Sequence, residues 1–589
     1  MTTTSRPEPT SRPEPTWRPT AHYLLEGLCE IGIDFMFCNL GTDHAPIVEE
    51  MARWRRQGKA PPEVILCPHE VVAVHMAGGY AMATGRGQVV VVHVDAGTAN
   101  AAMGMHNLFR TRVPVLLLAG KAPFTSRGEL PGSRDTFVNF LQEPLDMASV
   151  VRPYVKWSYD LPSGLIVKEV LRRAHSVMHS GAMGPVYLTA AREILTGEND
   201  ETDIRAFPES RFGAVANQGV DDEIIEEIVD RLLAAENPIL ITAYAGRNPR
   251  APGVIESLAL FAGLRVYESN PLYLNVSRTS PCFAGLNTAE AVAKADFGLL
   301  VDVDVPWLPA SASENPDAVW VHVDVDAIKK DCPMWGFPSH IRVQADSIRV
   351  LDRLLAILQA KAPQAWREKA RRRSANWPAP AAGAPVAFKP GRGGRMSAAF
   401  VCAELARFID DDAIVVQEAI TNVIPLCTHL PRTRPGTYFG NGGGGLGFGG
   451  GTALGVKLAH PDQLVVHVTG DGSFCFSSPS AVYAVSAKYG LPIFTVVLDN
   501  SGWGAVAGAT TRVYPHVEAV AAGAFQADYS DGMQWEKVAE AAGAHGERVD
   551  DPQGLASAIR RCLGEITLGR SAVLVVAIEA VRRPEKVPG

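Results

Sequence analysis

The sequence lacks several features that would place it in a specialised class of protein. No apolar run approaches the about 20 residues that a transmembrane helix needs, so no membrane partner is expected. There is no long basic run, and the formal net charge is −8, which argues against a nucleic-acid partner. The nine cysteines form no CxxC pair and are odd in number, which argues against a disulfide framework and a zinc site. A reducing cytoplasm is the expected location.

The first residues also lack apolar character. The hexapeptide SRPEPT occurs at 5–10 and again at 11–16, and no apolar segment of a secretory signal accompanies it. A segment of Pro, Glu, Ser and Thr cannot bury enough surface to order itself. Residues 1–18 are therefore predicted to form a disordered tail.

The length of 589 residues exceeds what one hydrophobic core supports, since single cores stop growing near roughly 250–300 residues. Short β-branched runs such as QVVVVHV alternate with helical patterns, which predicts an α/β protein of three doubly wound parallel-sheet domains. A polar stretch near 195–210 and a run rich in charge, Pro, Ala and Gly separate them. The predicted parts after the tail are an N-terminal domain (19–200), a central domain (211–360), a linker (361–394) and a C-terminal domain (395–589).

Two strand ends in the C-terminal domain carry the most informative residues. A buried strand ends at Thr469 and is followed by Gly470-Asp471-Gly472, and the next strand ends at Asp499-Asn500. Parallel strands open onto one edge, where ligands bind, so Asp471 and Asn500 are expected to converge. Carboxylate, amide and carbonyl oxygens suit Mg²⁺. Either motif alone is more often a turn or loop; together they favour a metal-phosphate site.

These residues resemble the signature of the thiamine-diphosphate-dependent enzymes, in which GDGSF precedes an Asn by about 30 residues. The resemblance implies that Asp471 and Asn500, with the carbonyl of Gly502, bind the metal. It also implies that the glycines of GDG and Ser473 contact the cofactor's diphosphate. The chain has Asp499 where the family more often has Asn, and the stretch between the motifs is somewhat longer, but no ligand is lost.

Glu70 is the candidate for the acid that activates the cofactor. It opens an apolar helix in HEVVAVHMAGGYAMATG, which resembles the HExxA…GYAxxTG segment of the same family. The resemblance implies a proton-sharing contact with the aminopyrimidine ring. The alternative is a first-turn residue favoured by the helix dipole. His44 and His69 are candidate proton carriers near neutral pH, although a lone histidine is more often structural.

A glycine-rich loop precedes the signature. Gly440–Gly445 satisfies GxGxxG, but NAD binding is rejected because PGTYF is not taken as a buried strand and Asp462 precedes the next strand. The loop resembles GxLGxG of the thiamine enzymes, which implies that Leu446 props the bent cofactor and that the Gly444 carbonyl accepts from its amino group. Core packing is the alternative for Leu446. Upstream, the weaker candidates for the diphosphate side are Glu418, Ile420 and Asn422.

The similarity extends over nearly the whole ordered chain and indicates an acetolactate-synthase-like branch. Cations near a strand end suit an anionic 2-oxo acid, and for each of them a surface or interface ion pair is the alternative. The resemblance implies a homodimer or a dimer of dimers with active sites at the subunit interface. Some relatives bind FAD or ADP in the central domain, but no motif here indicates FAD. The candidates for substrate contact, besides the two histidines, are Asn100, Arg112, Lys121, Gln142 and Trp503.

The expected activity is the making or breaking of a carbon–carbon bond next to a carbonyl, with thiamine diphosphate and Mg²⁺. A 2-oxo acid (pyruvate-type) decarboxylating carboligase is the first hypothesis. The alternatives are a non-ligating lyase or decarboxylase and an enzyme that cleaves a diketone or a 2-hydroxyacyl-CoA. A regulatory chain that binds the cofactor without turnover is a further alternative, against which intact Glu70 and Asp471 argue.

Overall fold

Three parallel β-sheets organise the chain. The computed structural model of the protein describes residues 16–208, 211–213, 215–216, 218–391, 394–516, 518–529 and 532–580. Each sheet is flanked by helices, which confirms the expected α/β class. No helix in this described part has the length and apolar surface that crossing a bilayer requires. All nine cysteines are described and unpaired.

The N-terminal domain contains fourteen α-helices and β-strands, besides short 3-10 turns. They are β1 (Trp17–Pro19), α1 (Thr20–Glu30), β2 (Phe35–Asn39), α2 (Ala45–Arg56), β3 (Glu63–Leu66), α3 (Glu70–Thr84), β4 (Gln88–Val92), α4 (Val94–Thr111), β5 (Val115–Lys121), β6 (Ser158–Asp160), α5 (Val167–His179), β7 (Val186–Ala191), α6 (Arg192–Thr196) and β8 (Glu198–Asp200). Six of the strands form a parallel sheet in the order β3-β2-β4-β5-β7-β6. Alternate valines of β4 enter two different hydrophobic cores, which explains its unbroken apolar run.

The central domain has a five-stranded parallel sheet in the order β10-β9-β11-β12-β13. Its elements are α7 (Asp222–Ala234), β9 (Pro238–Thr242), α8 (Ala251–Ala262), β10 (Arg265–Glu268), α9 (Ala289–Lys294), β11 (Phe297–Val301), β12 (Val319–Asp324), β13 (Ile341–Gln344), α10 (Ser347–Lys361) and α11 (Gln364–Ala375).

The C-terminal domain repeats the strand order of the N-terminal domain. Its elements are α12 (Ala398–Leu405), β14 (Ile414–Glu418), α13 (Val423–His429), β15 (Tyr438–Phe439), α14 (Phe448–Ala459), β16 (Val465–Gly470), α15 (Asp471–Phe476), α16 (Pro479–Tyr489), β17 (Phe494–Asp499), α17 (Gly504–Val513), α18 (Glu518–Ala521), α19 (Trp535–Ala541), β18 (His545–Val549), α20 (Pro552–Thr567) and β19 (Ala572–Ala577). The sheet order is β15-β14-β16-β17-β19-β18, so in both domains the order reverses between the first and third strands. Ligands of open α/β sheets bind at such reversal points.

Helices α3 and α14 join the two outer domains at close range. A Cβ atom on Gly79 would lie 2.2 Å from the Thr452 carbonyl oxygen, and one on Gly455 would lie 2.0 Å from that of Met76. Only glycine permits this separation of the backbones. The contact holds the helix that begins at Glu70 against the helix that follows the glycine-rich loop.

Two predicted boundaries differ from the structure. Residues 1–15 of the predicted tail lie outside the described residues, but Trp17 and Arg18 belong to β1, which pairs with β8. The predicted linker 361–394 begins with helix α11, whose Trp366 and Ala370 are buried in the core of the central domain. The helix resembles a linker in sequence because half of its residues are charged and it buries only a narrow face.

Candidate active site

Two neighbouring strand ends form the centre of the candidate site. Strands β16 and β17 pair in parallel with Gly470 opposite Leu498, so the segments that begin at Asp471 and Asn500 leave the same edge of the sheet. Asp471 is 2% exposed and begins helix α15. The structure therefore brings together the two strand ends on which the predicted metal site depends.

The loop after β17 is folded by its own side chains. Asn500 Oδ1 accepts a hydrogen bond from the backbone amide of Gly502 at 3.1 Å, and Asp499 Oδ1 accepts one from that of Ser501 at 2.9 Å. Arg548 donates to Asp499 Oδ2 at 2.9 Å. The aspartate found where the family more often has asparagine thus has a structural partner of its own.

Trp503 forms a wall over the GDG turn. A Cβ atom on Gly472 would lie 2.4 Å from the Trp503 ring, so this position accepts only glycine. The indole stacks on Tyr529 with ring centroids 4.4 Å apart. Burial raises the pKa of Tyr529, so the phenol is neutral near pH 7. Ser473 is buried in the same turn.

Glu70 lies buried between two asparagine side chains. Asn39, at the end of β2, donates to Glu70 Oε1 at 2.9 Å, and Asn100 of α4 donates to Oε2 at 3.1 Å. His69 Nδ1 accepts from the backbone amide of Val71 at 3.1 Å and so caps helix α3. The same nitrogen lies 3.9 Å from Glu70 Oε2. The predicted residues Asn100 and His69 therefore meet at Glu70, together with Asn39, which the sequence analysis missed.

A histidine that the sequence analysis missed lies at the same sheet edge. His93 follows β4, and its Nδ1 and Nε2 lie 2.5 Å from Asp43 Oδ1 and 2.9 Å from Gln142 Oε1. The hydrogen bond to Asp43 raises the pKa of His93, and burial only partly opposes this effect. A polar residue directly after a run of four valines was the available signal.

His44 lies buried beside this group. Its Nδ1 accepts from the backbone amide of Gly41 at 3.0 Å, and its Nε2 lies 3.4 Å from Asp43 Oδ2. Burial lowers the pKa of His44, so its ring is neutral near pH 7. At 1% exposure it has little access to solvent, which favours the structural alternative for this residue.

Glu418 binds the N-terminus of helix α14. Its carboxylate accepts from the backbone amides of Gly447 at 2.5 Å, Phe448 at 3.2 Å and Gly449 at 2.8 Å. A fully buried carboxylate at this position satisfies orphan donors and complements the helix dipole. Glu418, a predicted diphosphate candidate, thus fixes the end of the glycine-rich loop at the point where helix α14 begins.

Helix α4 holds the other side of the glycine-rich loop. Asn107 exchanges two hydrogen bonds with the backbone of Gly445, each 3.0 Å long, and the backbone amide of Gly442 donates to Thr111 Oγ1 at 3.0 Å. Gly444 has φ +74°. Leu446 follows Gly445 directly and is partly buried, so this side chain is presented from a loop held at both ends.

The strand that the sequence analysis denied before this loop exists. Tyr438–Phe439 forms β15, which is buried and pairs in parallel with β14. One ground for rejecting a dinucleotide site was therefore wrong, because a two-residue strand leaves no periodicity. The buried Glu418 carboxylate nevertheless occupies the amides of the helix N-terminus, which is where a pyrophosphate would bind.

The remaining diphosphate candidates follow β14. Ile420 has φ +44°, which is strained for a β-branched residue and is frequent at functional sites. Its side chain is 42% exposed. Asn422 lies at the N-cap position of α13 without a side-chain cap bond. Both residues lie at the edge where the sheet order reverses.

Comparison with known families identifies both outer domains. Residues 18–150 match the family described as thiamine pyrophosphate enzyme, N-terminal TPP binding domain, and residues 421–576 match the corresponding C-terminal TPP binding domain. The chain belongs to the thiamine pyrophosphate enzymes.

Relatives of this thiamine pyrophosphate enzyme include synthases and decarboxylases. It is 24% identical over 542 residues to the acetolactate synthase isozyme 3 large subunit of Escherichia coli (strain K12), covering 87% of this chain and 88% of the relative. It is 24% identical over 508 residues to benzoylformate decarboxylase of Pseudomonas aeruginosa, covering 81% and 84%. The solved structure of the thiamine diphosphate-dependent 4-hydroxybenzoylformate decarboxylase of Rhodococcus jostii RHA1 superposes with a TM-score of 0.78 at 20% identity, covering 96% of this chain and 99% of that one. The relatives thus share one family and are named for two different reactions.

Two predicted substrate cations of the enzyme have acidic partners. Arg112 forms a bidentate pair with Asp304 of the central domain, at 2.9 and 2.7 Å, and its side chain is 10% exposed. This is the interface ion pair that the sequence left open as an alternative. Lys121 pairs with Asp160 at the rim of a cavity of about 310 Å³ that Gln142 also lines.

A buried ion cluster occupies the carboxyl edge of the central sheet. Lys329 donates to Asp324 at 2.6 Å and to Asp304 at 2.9 Å, and Tyr244 donates to Asp324 at 2.5 Å. Although burial opposes it, the charge of Arg112 lowers the pKa of Asp304. The side chains of this ion cluster thus occupy the reversal point of the central sheet, which is where open α/β sheets bind nucleotides.

Proposed function

We propose that this protein uses thiamine diphosphate and Mg²⁺ to decarboxylate a 2-oxo acid and to join the acyl fragment to a second carbonyl compound. The observation that carries this proposal is that Asp471 and Asn500 directly follow the adjacent, parallel strand ends of β16 and β17. The buried Glu70, held by two asparagine side chains, supports it from the N-terminal domain.

The residues at the two strand ends fit a magnesium-diphosphate group. The Asp471 carboxylate, the Asn500 amide oxygen and the Gly502 carbonyl are hard oxygen donors, which Mg²⁺ prefers. Backbone amides after Gly470, at Gly472 and Ser473, can donate to phosphate oxygens. The exposed end of the β14 loop, with Ile420 and Asn422, would close the phosphate side.

Thiamine diphosphate, when bound, supplies a nucleophilic carbon and an electron sink for breaking a carbon–carbon bond next to a carbonyl. Leu446 and the Gly444 carbonyl would contact its rings. Glu70 would hold and return a proton at its carboxylate. The two amide donors from Asn39 and Asn100 fix the orientation of this carboxylate.

The proposed enzyme is a homodimer or a dimer of dimers. The resemblance assigns Glu70 and the metal site of one active centre to different subunits. Large apolar side chains are exposed on the loop after β5, where Phe137 is 80% and Leu141 74% exposed. Such a surface is typical of an interface. Light scattering should find at least two chains per particle, and an active monomer would refute this part of the proposal.

A non-ligating decarboxylase is the second candidate function. The similarity to benzoylformate decarboxylase of Pseudomonas aeruginosa favours it, because it is as high in identity as the similarity to acetolactate synthase. Trp503 walls the site beside the GDG turn, so the space between this ring and the cofactor would determine whether a second carbonyl compound enters.

Product analysis distinguishes the two reactions. The protein is incubated with thiamine diphosphate, Mg²⁺ and either pyruvate or benzoylformate, with and without acetaldehyde as acceptor. Acetolactate, acetoin or a mixed 2-hydroxyketone supports carboligation, whereas release of aldehyde alone supports the lyase. The Glu70→Gln variant is the control for chemistry on the cofactor. If wild-type protein consumes no 2-oxo acid, the proposal is wrong, and a 2-hydroxyacyl-CoA and a diketone are tested next.

A further inference from the structure

A chain of hydrogen bonds ends at a predicted substrate contact. His93 lies where the order of the N-terminal sheet reverses, one residue after Val92, which is the register partner of Asn39. Its ring bridges the buried carboxylate of Asp43 and the side-chain oxygen of Gln142. Asp43 comes from the loop after β2, and Gln142 comes from the loop after β5. Three segments of the N-terminal domain therefore meet through one imidazole.

The partners of His93 determine its hydrogen-bonding state. The Asp43 carboxylate oxygen can only accept, so the Nδ1 of His93 donates to it. The Nε2 faces the amide oxygen of Gln142, which also can only accept. An imidazole that donates at both nitrogens carries two protons and a positive charge. The carboxylate of Asp43, whose side chain is 3% exposed, compensates this charge.

The same contact defines the orientation of the Gln142 amide. Its side-chain oxygen is committed to His93, so its NH₂ group has no partner among the described residues. Gln142 lines the cavity of about 310 Å³ together with Lys121 and Arg152. A carboxylate entering this cavity would therefore meet a fixed amide donor near two cations, although each cation already has an acidic neighbour.

We propose that Asp43 and His93 are positioning residues that fix the Gln142 amide so that its NH₂ group binds the carboxylate of a 2-oxo acid. The inference rests on the proposed function, because that function supplies the 2-oxo acid. It adds a recognition element in which Gln142 touches the substrate and the other two residues act through it.

The arrangement makes substrate binding depend on pH. The charged and titratable groups facing His93 are Asp43 and His44 from the loop after β2 and Asp95 from α4. The hydrogen bond to Asp43 raises the pKa of His93 above its ordinary value. Above that raised pKa the Nε2 becomes an acceptor, and the Gln142 amide turns its NH₂ group toward it. KM should therefore increase as the pH rises through the pKa of His93.

Steady-state kinetics on the holoenzyme tests the inference. His93→Ala and Gln142→Leu should each raise KM for the 2-oxo acid about ten- to a hundred-fold, the effect of losing one hydrogen bond to a charged group, with a smaller change in kcat. The double variant should lose no more than either single variant, since one contact is removed in all three. His429→Ala, which changes a histidine outside this domain, should leave KM unchanged. Additive losses, or unchanged KM in either single variant, would overturn the proposal.

A spectroscopic arm separates this inference from the proposed function. In ¹⁵N-histidine-labelled holoenzyme, the two ring nitrogens of His93, assigned with His93→Ala, should both carry protons at pH 6. Asp43→Asn should shift this titration to lower pH. If the signals behave so but no 2-oxo acid is consumed, the proposed function fails while the hydrogen-bond chain stands. A neutral His93 near pH 6 overturns the inference even in an active enzyme. This measurement is made on the wild-type protein, so it decides the question even if Asp43→Asn fails to fold.

Discussion

Replacement of Asn107 by alanine should loosen the glycine-rich loop and weaken cofactor binding. Asn107 donates to His75 Nε2 and to the Gly445 carbonyl, both at 3.0 Å, and accepts from the Gly445 amide at 3.0 Å. Burial lowers the pKa of His75 to about 4, so its ring is neutral near pH 7. Its Nδ1 lies 2.8 Å from the Val71 carbonyl oxygen and donates to it, so Nε2 is the unprotonated acceptor. Alanine leaves three buried polar groups without these partners and releases the residue that precedes Leu446.

The magnitude follows from the number of hydrogen bonds. At about 1 kcal/mol net for each, the two bonds to Gly445 and the bond to His75 that orients Asn107 contribute up to about 3 kcal/mol to the ordered loop. Because 1.4 kcal/mol is a factor of ten, the ordered population falls by up to about a hundred-fold. The Kd of the cofactor rises as the competent fraction falls. We therefore expect Kd to increase about ten- to a hundred-fold.

Calorimetric titration with thiamine diphosphate in excess Mg²⁺ measures this effect. Asn107→Asp keeps the acceptor for the Gly445 amide but loses both donors, so its Kd should rise at least as much. Thr98→Val is the matched control, because it removes buried hydrogen bonds from the same helix α4 without contact to the loop. A Kd for Asn107→Ala within two-fold of the wild-type value would refute the argument that α4 orders the loop.

Three further predictions concern the site and its support. Glu70→Gln should bind thiamine diphosphate with unchanged calorimetric Kd but lose about 10²–10⁴ in kcat, the usual contribution of a proton-transfer group; wild-type kcat would remove Glu70 from the mechanism. Asp471→Ala should abolish the Mg²⁺ dependence of cofactor binding, and retention of that dependence in titration would defeat the metal assignment. Arg112→Met should lower the free energy of unfolding by about 2–3 kcal/mol, since it breaks a charged pair but leaves Lys329 beside Asp304, while the cofactor Kd stays constant. An unchanged unfolding midpoint in urea would contradict this role of Arg112.

The sequence predicted the positions in the fold of those candidate residues that depend on one strand at a time. Asp471 and Asn500 each follow a buried apolar run, and the rule that parallel strands share a carboxyl edge was enough to place them together. Glu70 could be found in the same way, because it begins a helix shortly after strand β3 ends. Such inferences need only local periodicity and chain direction.

The contacts that the sequence analysis missed depend on residues that are distant in the chain. Asn39 lies 31 residues from Glu70, Asp43 lies 50 residues from His93, and Asn107 lies 338 residues from Gly445. No local pattern identifies such partners before the packing of domains is known. Arg112 shows the same limit. Its ion pair with Asp304, which lies in another domain, could not be distinguished from a substrate contact on the sequence alone.

Helix α4 is the element on which these separate observations converge. It carries Asn100 against Glu70 and Asn107 against the glycine-rich loop of the same chain. Seven residues of helix separate them by about 10 Å. If Glu70 serves the cofactor of the partner subunit, as the resemblance implies, α4 touches two active sites rather than one. A shift of this helix in response to cofactor on the loop would then move the donor that holds the other site's glutamate, so any coupling between the two sites should weaken in Asn107→Ala but persist in Thr98→Val.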